Sequence, residues 1–150
     1  MRILFFVCDG VLHPSCKGVP AQHRQATASS ILDAGFFQWS AHLAEALQGY
    51  NDVVLINECD WGVKLKQRTF LQCLGPSGRW FAGALDSRPT SIEGARALFL
   101  HVAHPIDWMR ILPRPQPADA ERVLLVDPKH GISAAAAKQS LHRHWHKEPI

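Results

Sequence analysis

The sequence has no long apolar run. The one at its amino end stops after six residues, Ile3 to Cys8, and is closed by Asp9. Such a run is too short for the core of a signal peptide and far too short to cross a bilayer. A cytoplasmic protein without membrane contact is therefore expected. The sequence also lacks any CxxC pair. Its four cysteines, Cys8, Cys16, Cys59 and Cys73, are dispersed, so a zinc site or a thioredoxin-like motif has little support. Reduced thiols are expected, with Cys8 buried as a small hydrophobe. Charge of one sign is scarce too. Sixteen Lys and Arg face thirteen Asp and Glu, for a net +3. The basic residues are scattered and form no stripe, which speaks against a nucleic-acid partner. The nine His add charge in acid without naming a partner. A protein partner remains open.

What is present fits a folded domain. Of 150 residues, 47% are hydrophobic and 19% charged, a balance unlike that of disordered chains. A chain of this length buries roughly two-thirds of its unfolded surface, enough for one core, and a single domain over 1–150 is expected. Residues 3–8 read as a strand buried on both faces of a parallel sheet. Residues 13–30 read as a loop, and residues 38–48 as a helix with Gly49 at its C-cap. Residues 53–56 form a second strand candidate, 64–74 a helix, and 80–85 a short strand. Thr90 to Glu93 has capping-box spacing and opens a helix through Phe99. Residues 98–102 are alternatively the start of a strand. Residues 123–126 form the clearest late strand, and Ser133 would cap a last helix over 134–146. This alternation predicts a three-layer α/β fold, Rossmann-like, with a mainly parallel sheet flanked by helices.

In such sheets ligands bind beyond the carboxyl ends of the strands. That position picks out Asp9, residues 57–61 and Asp127. At the first of these the chain reads Asp9-Gly10-Val11-Leu12-His13-Pro14 after an apolar strand. This resembles the first motif of the haloacid dehalogenase (HAD) superfamily, in particular a small bacterial group with the same six letters. The likeness continues through Phe37, Trp39, Leu43 and Leu47, then residues 53–56 and Trp61, and ends at Asp127-Pro128-Lys129-His130-Gly131-Ile132-Ser133. It implies a HAD-like fold with a minimal cap or none, and hydrolase chemistry on phosphate esters using Mg²⁺.

The family motif has an Asp two residues before the acid/base Asp. Counted back from Gly10, the acid/base is Asp9 and the nucleophile position is Val7. A valine can neither attack phosphorus nor bind a hard cation. The second motif should offer Ser or Thr after the second strand, but the chain reads Asn57-Glu58-Cys59-Asp60-Trp61-Gly62, and Gly62 stands where the group has Arg. Glu58 and Asp60 are expected to repel phosphate. Lys64, Arg96 and Arg110 are candidates for the basic third motif. The acidic fourth motif falls after Leu98-Phe99-Leu100, at Ala103-His104, or after residues 123–126, at Asp127. We take the first placement.

A HAD-like protein that has lost its phosphoaspartyl mechanism is thus the leading expectation, with no cofactor. Losing a nucleophile removes on the order of 10⁶ in rate. Asp9 then stands either as a vestigial acid/base or as a hydrogen-bond acceptor in its turn. Asp127 has the same two roles open. An active alternative is a Mg²⁺-dependent phosphohydrolase using Asp9 with Asp127, or with the Glu58/Asp60 pair. A third reading is a receiver-like flavodoxin fold with Asn57 in place of the phosphoacceptor. Glu58, Asp60 and His104 form a further metal or acid/base candidate. His142 and His146 have chelating spacing but also suit a basic helix end. Cys59, between Glu58 and Asp60, is expected to have its thiolate disfavoured.

Overall fold

The first strand in the chain becomes the middle of the sheet. Every residue from Ile3 to Phe6 is buried, so the strand needs a neighbour on each side and a helical layer on each face. A computed structural model provides both, describing residues 1–16, 18–86 and 91–145, with 117–119 as backbone alone. Strands β1 (Arg2–Phe6), β2 (Val53–Asn57), β3 (Phe81–Ala84), β4 (Asp107–Leu112) and β5 (Val123–Leu125) form one sheet in the order β3-β2-β1-β4-β5. All four pairings are parallel. This is the α/β, Rossmann-like expectation met at the level of architecture. The order differs from the 2-1-3-4-5 of flavodoxin-like sheets, so the receiver-like topology is corrected.

Six helices accompany the strands among the described residues: α1 (Ala28–Asp33), α2 (Ser40–Leu47), α3 (Asp60–Lys64), α4 (Gln67–Leu74), α5 (Ile92–Ala103) and α6 (Ala135–Trp145). Because strand side chains alternate, β1 serves two cores. Leu4 and Phe6 enter the larger one, with Ile31 of α1, Leu43 and Leu47 of α2, Phe70 and Leu74 of α4, and Leu141 and Trp145 of α6. Ile3 and Phe5 enter a smaller one with Ile56, under Phe99 and its neighbours on α5. The sheet is therefore the middle of three layers. No described helix is long and apolar enough to cross a membrane.

Several boundaries differ from the sequence reading. The expected loop over 13–30 contains the start of α1, whose first turn is capped by Thr27, its hydroxyl oxygen accepting the Ser30 N–H at 3.2 Å. The helix expected from Lys64 begins instead at Gln67, because α3 ends at Lys64 and Leu65 is extended. The N-cap of α5 is Ser91, which accepts from Gly94 N–H at 3.0 Å; Thr90 lies outside the described residues. Ser133 belongs to a 3₁₀ turn over Gly131–Ser133, one turn ahead of α6. The largest correction concerns Leu98-Phe99-Leu100. They lie inside α5, so no strand ends at Ala103-His104. The strand beside β1 is β4, whose carboxyl end is Leu112-Pro113.

Register places the sheet edge. Phe6 pairs with Asn57 on one side and Ile111 on the other. Just past this edge Val7 shares a depression with Glu58 and Leu112, and Cys8 N–H donates to Cys59 Sγ.

Candidate functional site

After β1 the chain turns at once. The N–H groups of Val11 and Leu12 both bond Cys8 C=O, at 3.1 and 2.9 Å, and Gly10 N–H bonds His13 C=O at 2.8 Å. The turn needs φ +79° at Gly10, and a Cβ there would lie 2.8 Å from Pro113 Cβ, so glycine is required on both counts. The geometry brings Asp9 and His13 together. His13 Nδ1 accepts the Phe37 N–H at 3.1 Å. Its proton is therefore on Nε2, which donates to Asp9 Oδ1 at 2.7 Å. The ring has 1% of its side chain exposed and meets Phe36, Phe37 and Trp61 edge-on, with centroids 5.2–5.3 Å away.

Asp9 collects three more donors. Cys16 Sγ donates to Oδ1 at 2.9 Å, Trp61 Nε1–H to Oδ1 at 3.0 Å, and Gly18 N–H to Oδ2 at 3.0 Å. Burial alone would raise its pKa. The hydrogen bonds from His13, Cys16 and Trp61 outweigh that and hold the carboxyl below the usual range. The same contact works in reverse on Cys16. Burial first, then its bond to Asp9, pushes that thiol up to about 12.

Asp9, His13 and Cys16 are the one group of three or more His, Cys, Asp or Glu among the described residues whose ligand atoms all lie within 4.8 Å of one another. A metal-bound imidazole keeps its proton on the other nitrogen and donates it. His13 Nδ1 faces an N–H donor, so its Nε2 is the protonated nitrogen and has no lone pair for a cation. The cluster is a hydrogen-bond hub. Its donors are an imidazole, a thiol, an indole and a backbone amide, all uncharged.

The second strand end is organised by Asn57, which is fully buried. Its Oδ1 accepts from the N–H groups of Cys59 and Gly62 at 3.2 and 3.1 Å. Its Nδ2 donates to Phe6 C=O at 3.3 Å and to the sulfurs of Cys8 and Cys59, each at 3.4 Å. Gly62 is explained by the same residue: a Cβ there would lie 2.5 Å from Asn57 Oδ1 and 2.9 Å from Ala84 Cβ. The arginine found here in the resembling group has no room.

Glu58 corrects the sequence reading. Its side chain is 1% exposed, and its charge is met inside the protein. Arg96 Nε donates to Oε2 at 2.9 Å, while Arg110 reaches Oε1 through Nε at 2.8 Å and through Nη2 at 2.7 Å. Asp60 pairs with Lys64 at 2.7 Å on α3. His104 caps α5 in the left-handed region, against His101. Glu58, Asp60 and His104 thus each face different partners and do not converge. Of the third-motif candidates, Arg96 and Arg110 converge on Glu58, and Lys64 does not.

Cys59 is a second correction. Burial disfavours its thiolate, but hydrogen bonds from the Cys8 thiol, the Cys8 N–H, Asn57 and the Trp61 N–H overcome this and lower its pKa. The neighbouring carboxylates are turned towards Arg96, Arg110 and Lys64, so their charge is compensated. Asp127 stands on another turn, after β5 and two strands from β1. It is exposed, and its Oδ1 accepts the Lys129 N–H at 3.0 Å. His142 bonds Tyr50 Oη at 2.8 Å, and His144 bonds Asp107 at 3.1 Å; His146 lies outside the described residues.

Two depressions border the strand ends. One, of about 430 Å³, is lined by Glu58, Cys59, Asp60, Val63, Lys64 and Leu85. The other, of about 290 Å³, lies over Val7, Leu112 and Pro113 and is rimmed by charged and polar groups, Glu58, Glu93, Arg110, Arg114 and Gln116. Sequence reasoning named Asp9 but missed its partners, although His13 and Cys16 follow at i+4 and i+7. Compared with protein-family models, curated proteins and solved structures, the chain matches none.

Proposed function

We propose that this chain is a HAD-like domain without phosphoaspartyl chemistry, acting as a binding or regulatory module. The observation that carries this is Val7 at the carboxyl end of the central strand. It packs against the larger core and lines the smaller depression beside Leu112 and Pro113. A phosphoaspartyl enzyme would need an attacking carboxylate on β1 and acidic groups after the neighbouring strand. Three apolar side chains occupy those places. Register supports Leu112-Pro113 as the fourth-motif position.

Mg²⁺ does not fit the groups present. It demands near-octahedral oxygen coordination at about 2.1 Å. Val7, Leu112 and Pro113 offer no side-chain oxygen; of the two carboxylates that share their depression, Glu58 is held by Arg96 and Arg110 and Glu93 is exposed on α5; and both Asp9 oxygens already take N–H or S–H donors. Asp9 is also a poor acid/base, since its lowered pKa keeps it ionised and its lone pairs are occupied. The β3-β2-β1-β4-β5 order, with Asp9-Gly10 directly after the central strand, favours the HAD-like frame over the receiver-like one.

The test is an assay of purified protein with p-nitrophenyl phosphate and millimolar Mg²⁺ or Mn²⁺. We expect no metal-dependent turnover, and the same background from Asp9→Asn. Metal-dependent turnover that Asp9→Asn abolishes would reject the proposal in favour of the active hydrolase.

A further inference from the structure

We propose that Cys59 and Cys8 are a redox-active pair: a hydroperoxide entering the larger depression oxidises Cys59, and Cys8 closes a disulfide with it. No part of this depends on the loss of phosphoaspartyl chemistry. The two cysteines follow β1 and β2 at matching positions. Cys8 and Cys59 each lie two residues past the last paired residues of β1 and β2, Phe6 and Asn57. The paired strand ends they follow run about 4.8 Å apart, and a disulfide spans roughly 4.4–6.8 Å between Cα atoms. The side chains agree with this placement. Cys8 N–H donates to Cys59 Sγ at 3.3 Å, and Asn57 Nδ2 lies 3.4 Å from both sulfurs.

The four cysteines divide the roles by their surroundings. Cys59 is partly exposed and lines a depression large enough for a peroxide. Its sulfur accepts several hydrogen bonds, which favour the thiolate, the reactive form. Cys8 is fully buried, and burial holds its thiol well above the ordinary range. It is a resolving group rather than a first attacker. Cys16 keeps its proton for Asp9, and Cys73 lies buried on α4, its thiol pushed up to about 11.

The chemistry balances. The Cys59 sulfur attacks the terminal peroxide oxygen and the O–O bond breaks. The departing oxygen takes the electron pair and the thiol proton, leaving as water or an alcohol, and Cys59 becomes a sulfenic acid. The Cys8 sulfur then attacks the Cys59 sulfur. The S–O bond breaks, and hydroxide leaves with the Cys8 proton as water. Two thiols are oxidised by two electrons together, and one peroxide is reduced by two.

The test uses the wild-type protein and one variant, Cys8→Ala. Native protein is exposed to hydrogen peroxide at up to equimolar dose, alkylated, digested with trypsin and sequenced by mass spectrometry. Cys59 falls in peptide 25–64, while Cys8 and Cys16 share peptide 3–17, so fragment ions between them locate the bond. We expect a crosslinked pair lighter by two hydrogens, with the bond at Cys8. Alkylation of Cys8 and Cys59 falls in parallel, while Cys16 and Cys73 stay alkylated. A dimedone adduct at Cys59 should appear early and persist in Cys8→Ala. Oxidation first at Cys16 or Cys73, a bridge to Cys16, overoxidation of Cys59 without a bridge, or no reaction would each overturn the proposal.

Discussion

Asp9 and Glu58 stand one strand apart at the same edge of the sheet, Asp9 after β1 and Glu58 after β2. Glu58 is buried and Asp9 partly so, and the protein meets their charges in opposite ways. Asp9 is surrounded by uncharged donors whose dipoles converge on it. Glu58 is surrounded by guanidinium groups. A carboxylate among dipoles remains a net negative charge, stabilised by the number and aim of its hydrogen bonds. A carboxylate between two arginines becomes part of a buried ionic group that collapses if one member is removed. The first arrangement is local: His13, Cys16 and Gly18 lie within nine residues of Asp9, and only Trp61 comes from elsewhere. The second joins β2 to α5 and β4 across 38 and 52 residues. Asp9 shapes a turn, whereas Glu58 ties layers together.

This contrast is broken most strongly at Glu58. Glu58→Ala leaves two buried cations without their carboxylate and is expected to cost about 3–5 kcal/mol, read as a fall in the urea midpoint. Replacing Glu58, Arg96 and Arg110 together with apolar residues, Glu58→Leu with Arg96→Met and Arg110→Met, should recover most of that loss. Next comes Asp9→Asn, which turns an amide –NH₂ towards either the Gly18 N–H or the three donors on Oδ1. A loss of about 2–3 kcal/mol is expected. Trp61→Phe follows at about 1–2 kcal/mol, because Asp9 keeps three donors. Cys16→Ser should be smallest, under about 1 kcal/mol, since a hydroxyl can replace the thiol donor.

Acid reaches Asp9 in a defined pH window. Asp9 titrates below its unfolded value, so its contribution is full above about pH 4 and is lost as pH falls through the lowered folded value. Urea midpoints measured from pH 6 downward should decline in the wild type below about pH 4, with the Asp9 share of that decline missing in Asp9→Asn. An identical slope in both proteins would show that Asp9 holds no such advantage.

The sequence revealed the parts of the molecule whose causes are local. β1, β2 and β5 are continuous apolar runs, and the Asp9-Gly10 turn sits directly after one of them. α5 follows from its apolar spacing, although its cap is one residue later than the spacing suggested. β4 was hidden because Asp107-Trp108-Met109-Arg110-Ile111-Leu112 breaks the apolar pattern with an arginine. That arginine is acceptable in a central strand because Glu58 meets it from the next element but one in the sheet. The strand end expected at Ala103-His104 was misplaced for the same reason. α1 was hidden behind Pro20, although Thr27 held the capping signal. The Cys59 thiolate was misjudged because one-dimensional proximity to Glu58 and Asp60 conceals where their carboxylates point. The redox pair needs a register, which spacing along the chain does not contain.

The most direct test of the central claim is a Mg²⁺ titration of protein carrying ¹³C at the Asp9 carboxyl carbon, followed by NMR at neutral pH. If both oxygens are consumed by His13, Cys16, Trp61 and Gly18, the resonance stays in place as the metal rises to millimolar concentration. A saturable shift of that resonance would show the carboxylate binding the cation, and the structural role assigned to Asp9 would be wrong.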